Sequence, residues 1–218
     1  MEHGTDALPS SAGEVRERGL SLVEVVVLVV LLVAIAAVVV LMIPRDDGCY
    51  GSPAVDCISN VKQLVDLIEV SAGATYPAYR GPDLLLYLVK KGELTGADSL
   101  RLLFCPGDRL ETFEKAGGTG AYRDLDLSKP GGRGHLTSYA GRDQLDPACA
   151  AELRSLPPKV LLCDDSDDHH EGKGFVVGLT GGTVKWRHKV DDYGLDEGTM
   201  VTVGEGSIVA ELRCLLTD

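Results

Sequence analysis

The six cysteines of this chain include no Cys-x-x-Cys pair, and basic residues are few: 21 Lys and Arg stand against 33 Asp and Glu, a net charge of −12. The first absence disfavours a zinc ribbon or a thioredoxin-like redox site. The second argues against a nucleic-acid partner, since phosphate binding needs clustered Lys and Arg. No Gly-x-Ser-x-Gly elbow, Walker loop, dinucleotide fingerprint or His-Glu-x-x-His helix occurs. No catalytic residue is nominated, and the chain is not expected to be an enzyme. The stretches Gly117-Gly118-Thr119-Gly120 and Gly131-Gly132-Arg133-Gly134 lack the strand–turn–helix setting of a phosphate-binding loop, so they read as surface loop.

A further absence is the most informative. From Val25 to Ile43 there is no charged or polar side chain, no glycine and no proline. As a helix, that run reaches roughly 28 Å, close to the hydrocarbon thickness of a bilayer. Arg16 and Arg18 precede it, while Arg45 is followed by Asp46 and Asp47. That asymmetry predicts the N-terminus inside and the bulk of the chain outside the cytoplasmic membrane. Glu24 sits past the last arginine, at the mouth of the apolar run, with no basic residue one turn away. An ionisable group in such a place usually has a partner, and here it must come from another chain. Read as a secretory signal cut after Ala34-Ile35-Ala36, the segment would leave a greasy mature terminus and put Glu24 inside the signal's apolar core. A simple anchor gives Glu24 no role, and the run is too long and too pure for a core helix.

Gly19 followed by Leu20-Ser21-Leu22-Val23-Glu24 and the apolar run resembles the processing site of type IV prepilins and type II secretion pseudopilins. The resemblance implies cleavage after Gly19 by a prepilin peptidase and N-methylation of Leu20. Glu24, fifth in the mature chain, would pair with the terminal amine of a neighbouring subunit. Most of the family begin with Phe or Met where this chain has Leu. The implied division is a leader at 1–19, a transmembrane helix at 20–43, a linker at 44–53 and a periplasmic pilin-like domain at 54–218. The implied partners are other pilin or pseudopilin subunits, the inner-membrane secretion or pilus assembly machinery, and the membrane itself.

Pro44, Gly48, Gly51 and Pro53 should break the first helix, unlike the usual pilin, whose first helix runs on into the globular domain. A second helix then starts at Ser52 and Pro53. From Ala54 to Val70 the residues Cys57, Ile58, Val61, Leu64, Val65 and Ile68 recur every three or four positions, giving one apolar face that ends at Gly73. Asp83–Lys91 reads as a short helix capped by Asp83 and stopped by Gly92. Leu100–Cys105 and Lys159–Cys163 read as strands. Gly174–Leu179 and Thr183–Arg187 flank a Gly181-Gly182 turn and predict a hairpin; Met200–Val203 and Ser207–Cys214 predict another around Gly204-Glu205-Gly206. The fold class is α+β, an amphipathic helix packed on an antiparallel sheet.

Several soluble segments also resemble pilin-like proteins abundant in planctomycete-type bacteria. Cys57-Ile58-Ser59-Asn60-Val61-Lys62-Gln63 is similar to their Cys-x-x-Asn-Leu-Lys-Gln, and Phe104-Cys105-Pro106-Gly107-Asp108 to their Cys-Pro-Ser-Asp. Ser138-Tyr139 is similar to a Ser-Tyr that follows it. Nine residues separate His170 from Thr180-Gly181, similar to a His-x9-Asp-Gly stretch, with Thr in place of Asp.

Asp164-Asp165-Ser166-Asp167-Asp168-His169-His170-Glu171 is the densest run of ligand-type side chains. Its default reading is a solvated acidic loop. Its ligand reading is calcium on Asp164, Asp165, Asp167 and Asp168, because hard carboxylates suit that ion and major pseudopilins hold one in a C-terminal loop. Cys57 and Cys105 read as buried thiols or disulfide halves, and Trp186 as packing. Two functions are carried forward: a pseudopilin-like filament subunit, or a single-pass membrane-anchored ectodomain that binds a ligand or carries another activity without polymerising.

Overall fold

The computed structural model describes residues 26–27, 29–31, 52–73, 75–108, 112–129, 132–153, 156–164 and 170–218. The chain divides into two units, Met1–Cys49 and Tyr50–Asp218. In the first, Val26, Val27, Val29, Val30 and Leu31 are helical and each is more than half exposed. Among the described residues no helix is long and apolar enough to cross a membrane. Gly19, Leu20, Glu24 and the break at 44–51 lie outside them.

The second unit is α+β, as its periodicity predicts. Helix α1 (Ser52–Ala72) buries Cys57, Val61, Leu64, Val65 and Ile68, the face that the three-and-four spacing picks out. Gly73 follows at φ 59°, a left-handed position that glycine takes without steric cost. On the solvent side Lys62 and Asp66 pair one turn apart; both are about half exposed, so the pair contributes only a few tenths of a kcal/mol. Helix α2 (Asp83–Lys91) has the expected bounds, and Gly92 ends it at φ 82°. Asp83 is not its cap. Its buried carboxylate instead takes Arg133 Nη1 at 2.8 Å on each oxygen.

Five antiparallel neighbours form the sheet, in the order β4-β3-β2-β1-β5. They are β1 (Tyr139–Arg142), β2 (Val160–Asp164), β3 (Gly174–Leu179), β4 (Thr183–His188) and β5 (Leu215–Leu216). The β3–β4 hairpin turns through Gly181 and Gly182, both at positive φ. Two stretches expected as strands are not. Leu100–Cys105 is the end of helix α3 (Ala97–Leu100) followed by a 3-10 turn at Arg101–Leu103, which satisfies the local backbone without a sheet partner. The C-terminal hairpin is instead irregular chain with a 3-10 turn at Ala210–Leu212 and the two-residue β5.

The physical reason for the second miss lies in the sheet's burial on both faces. Leu162, Tyr139 and Val176 join the α1 side, together with Leu84, Leu88 and Leu103. Ala140, Cys163, Phe175 and Val177 point the other way, and Val201, Val209, Leu212 and Leu215 of the C-terminal segment cover them. A Cys149–Cys214 disulfide ties that cover to helix α4 (Pro147–Glu152). Buried Lys189, opening helix α5 (Lys189–Tyr193), donates to the carbonyls of Glu197 and Thr199 at 2.7 and 2.8 Å.

Close approach of backbone to backbone fixes one more position. A Cβ on Gly141 of β1 would stand 2.0 Å from the Gly81 carbonyl oxygen. Gly141→Ala must push the segment leading into α2 off the sheet. The expected loss is about 2–3 kcal/mol, read as a lower urea midpoint at unchanged slope.

Candidate functional site

Cys57 lies in the first turns of α1, where the apolar spacing turns it toward the sheet. Cys105 follows the 3-10 turn at Arg101–Leu103, Asp164 ends β2, and His170 precedes β3. All four are buried, and one ligand atom from each lies within 4.8 Å of the others. Cys57 Sγ donates to Asp164 Oδ1 at 3.0 Å and lies 3.6 Å from the Tyr139 hydroxyl. His170 Nε2 is 3.0 Å from Asp164 Oδ2 and 3.6 Å from Cys105 Sγ. The Val176 N–H donates to Asp164 Oδ2 at 3.0 Å, and the Trp186 ring meets His170 edge-on at 5.2 Å.

The electrostatics follow from burial. Burial pushes the Cys57 thiol well above its ordinary range, and its neighbours Cys105 and Asp164 push it the same way. Burial also raises Asp164, with His170 opposing. For His170, burial pulls downward, but its hydrogen bonds to Asp164 and Cys105 outweigh that and lift it to about 10. The Tyr139 hydroxyl, fully enclosed, is held well above its usual range by burial and then by Cys57.

This arrangement is not that of a cysteine nucleophile. In a Cys–His–Asp relay the thiol and the carboxylate use opposite ring nitrogens. Here Cys105 and Asp164 converge on the same one, Nε2. Cys57 and Cys105 are no more than 2% exposed. Two sulfurs, one carboxylate and one imidazole nitrogen meeting at a point are a donor set that can hold a metal ion.

The four segments picked out by their resemblance meet here. Asn60 Nδ2 donates to the Phe104 carbonyl at 3.1 Å, and the Cys105 N–H donates to Ser138 Oγ. Asp108 N–H closes the turn on the Cys105 carbonyl at 3.0 Å. Cys57, Cys105 and His170 stand apart in the sequence, and ligands distant in sequence have no spacing to read. In the sequence Asp164 opens an acidic run. In the fold it is a buried residue at the end of β2, beside the Cys57 sulfur and the His170 ring nitrogen. Asp165, Asp167 and Asp168 lie outside the described residues, as do Gly19, Leu20 and Glu24. No protein family, curated protein or solved structure matches the chain.

Proposed function

We propose that the chain is a pseudopilin-like structural subunit, processed after Gly19 and assembled through its apolar segment into a type II secretion pseudopilus or a type IV pilus-like filament. The observation that carries this reading is Glu24, a carboxylate at the mouth of an apolar run, five positions after Gly19. Val26, Val27, Val29, Val30 and Leu31, helical and exposed, support it: an apolar helical surface needs lipid or other chains to cover it. So does the ectodomain, an amphipathic helix on an antiparallel sheet. The convergence of 57–63, 104–108, 138–139 and 170 adds weight, since separate resemblances along the chain fold to one place.

The test is mass and N-terminal analysis of protein taken from its native envelope. A methylated Leu20 terminus is expected. An intact Met1 terminus on a solitary species sinks the filament role and favours the tethered ectodomain. Glu24→Ala should reduce the assembled fraction about tenfold or more, since a hydrogen bond to a charged group contributes about 1.5–3 kcal/mol. Ectodomain stability should not change, because the partner belongs to another chain.

A further inference from the structure

We propose that Cys57, Cys105, Asp164 and His170 form a structural zinc site, a closed centre of two sulfurs, one nitrogen and one oxygen inside the ectodomain core. The inference rests on the geometry of residues 52–218 and is independent of the filament reading.

Shape is the first support. With Zn–S near 2.3 Å and Zn–N and Zn–O near 2.0–2.1 Å, a tetrahedral site has ligand–ligand edges of roughly 3.3–3.8 Å. The contacts here are 3.0 Å for Cys57–Asp164, 3.0 Å for Asp164–His170 and 3.6 Å for Cys105–His170, and no ligand atom lies beyond 4.8 Å of another. Shifts of about an ångström or less bring all four onto such a tetrahedron. The shared use of His170 Nε2 is the second support. A ring nitrogen facing a thiol and a carboxylate together is unsuited to a relay and suited to a common ion.

Donor chemistry selects the metal. Two thiolates with an imidazole select zinc over calcium or magnesium, whose sites are built from oxygen. Four protein ligands leave no position for water, and His170 is only 7% exposed, so the role is structural, not hydrolytic. The surroundings hold the ligands in place: the Val176 N–H fixes the carboxylate, the Tyr139 hydroxyl lies against the Cys57 sulfur, and Trp186 walls the imidazole. The ligands come from α1, the turn after α3, the end of β2 and the turn before β3. One ion therefore ties together four segments that are distant in sequence.

The experiment uses the full chain, purified without chelator or reductant. Elemental analysis should find one zinc per chain. Stripping with a chelator and reloading with Co²⁺ should give the intense visible bands and thiolate charge-transfer absorption of a tetrahedral sulfur-ligated ion. Tyr139→Phe should weaken zinc binding about tenfold, as loss of an outer-shell contact does. Cys105→Ser should weaken it beyond about a hundredfold; should that variant not fold, the cobalt spectrum of the unmodified chain decides. Trace metal after incubation with excess Zn²⁺, binding of Ca²⁺ in preference to Zn²⁺, or a Cys57–Cys105 disulfide in the protein as isolated would each overturn the proposal.

Discussion

Replacing Arg142 by alanine is expected to lower stability by about 3–5 kcal/mol, since hydrogen bonds from a charged donor contribute about 1.5–3 kcal/mol each. Arg142 is 1% exposed, and its guanidinium serves three acceptors. Nε donates to the Cys149 carbonyl at 3.0 Å, Nη1 to the Val160 carbonyl at 2.9 Å and Nη2 to Glu152 Oε2 at 2.6 Å. The first two are backbone carbonyls, and removing the buried guanidinium takes a charged donor from each. Glu152 is about half exposed, but Glu152→Ala leaves the buried Nη2 without its carboxylate and should cost about 1–3 kcal/mol. The contrast between the variants is the test. Chemical denaturation followed by the fluorescence of Trp186, the single tryptophan, should show the first midpoint fall further than the second. Equal falls would mean that the ion pair, not the backbone carbonyls, holds this region.

Removing the Cys149–Cys214 crosslink by a double change to serine should cost up to about 4 kcal/mol, the chain-entropy figure for a loop of its size. The two cysteines are 65 residues apart, and the enclosed chain contains β2, β3 and β4. For a domain of this length such a loss lowers Tm by roughly 8–16 °C. Native-state hydrogen exchange should place the loosening in the C-terminal cover, at Val209 to Leu215, before it reaches α1. Simultaneous loosening of both faces would show that the two cores unfold as one.

The sequence carried local patterns well and long-range ones poorly. The apolar spacing of α1, the glycine stop of α2 and the Gly181-Gly182 turn are each written within a few residues, and each appears where expected. The Leu100–Cys105 run is apolar enough for a strand or a buried turn, and a short apolar run does not distinguish them by period. The C-terminal segment has the glycines of a hairpin, but its valines and leucines serve as cover for a sheet face that only the assembled fold exposes. Helix α4 and its crosslink were equally hidden, since six cysteines allow fifteen complete pairings. The buried cluster was legible only in fragments. Its members were visible singly, and their meeting depends on how α1 lies over β2.

The pairing of Tyr139 with Asp164 across β1 and β2 has one more effect. Strand side chains alternate, so sliding β2 by a single residue would swap Asp164 with Cys163. The carboxylate would then be driven among Phe175, Val177 and Leu212, with no donor to meet it. A misaligned sheet is thereby made far costlier than a purely greasy strand such as Val160–Cys163 would make it. The cluster favours one register of β2 over the slipped one.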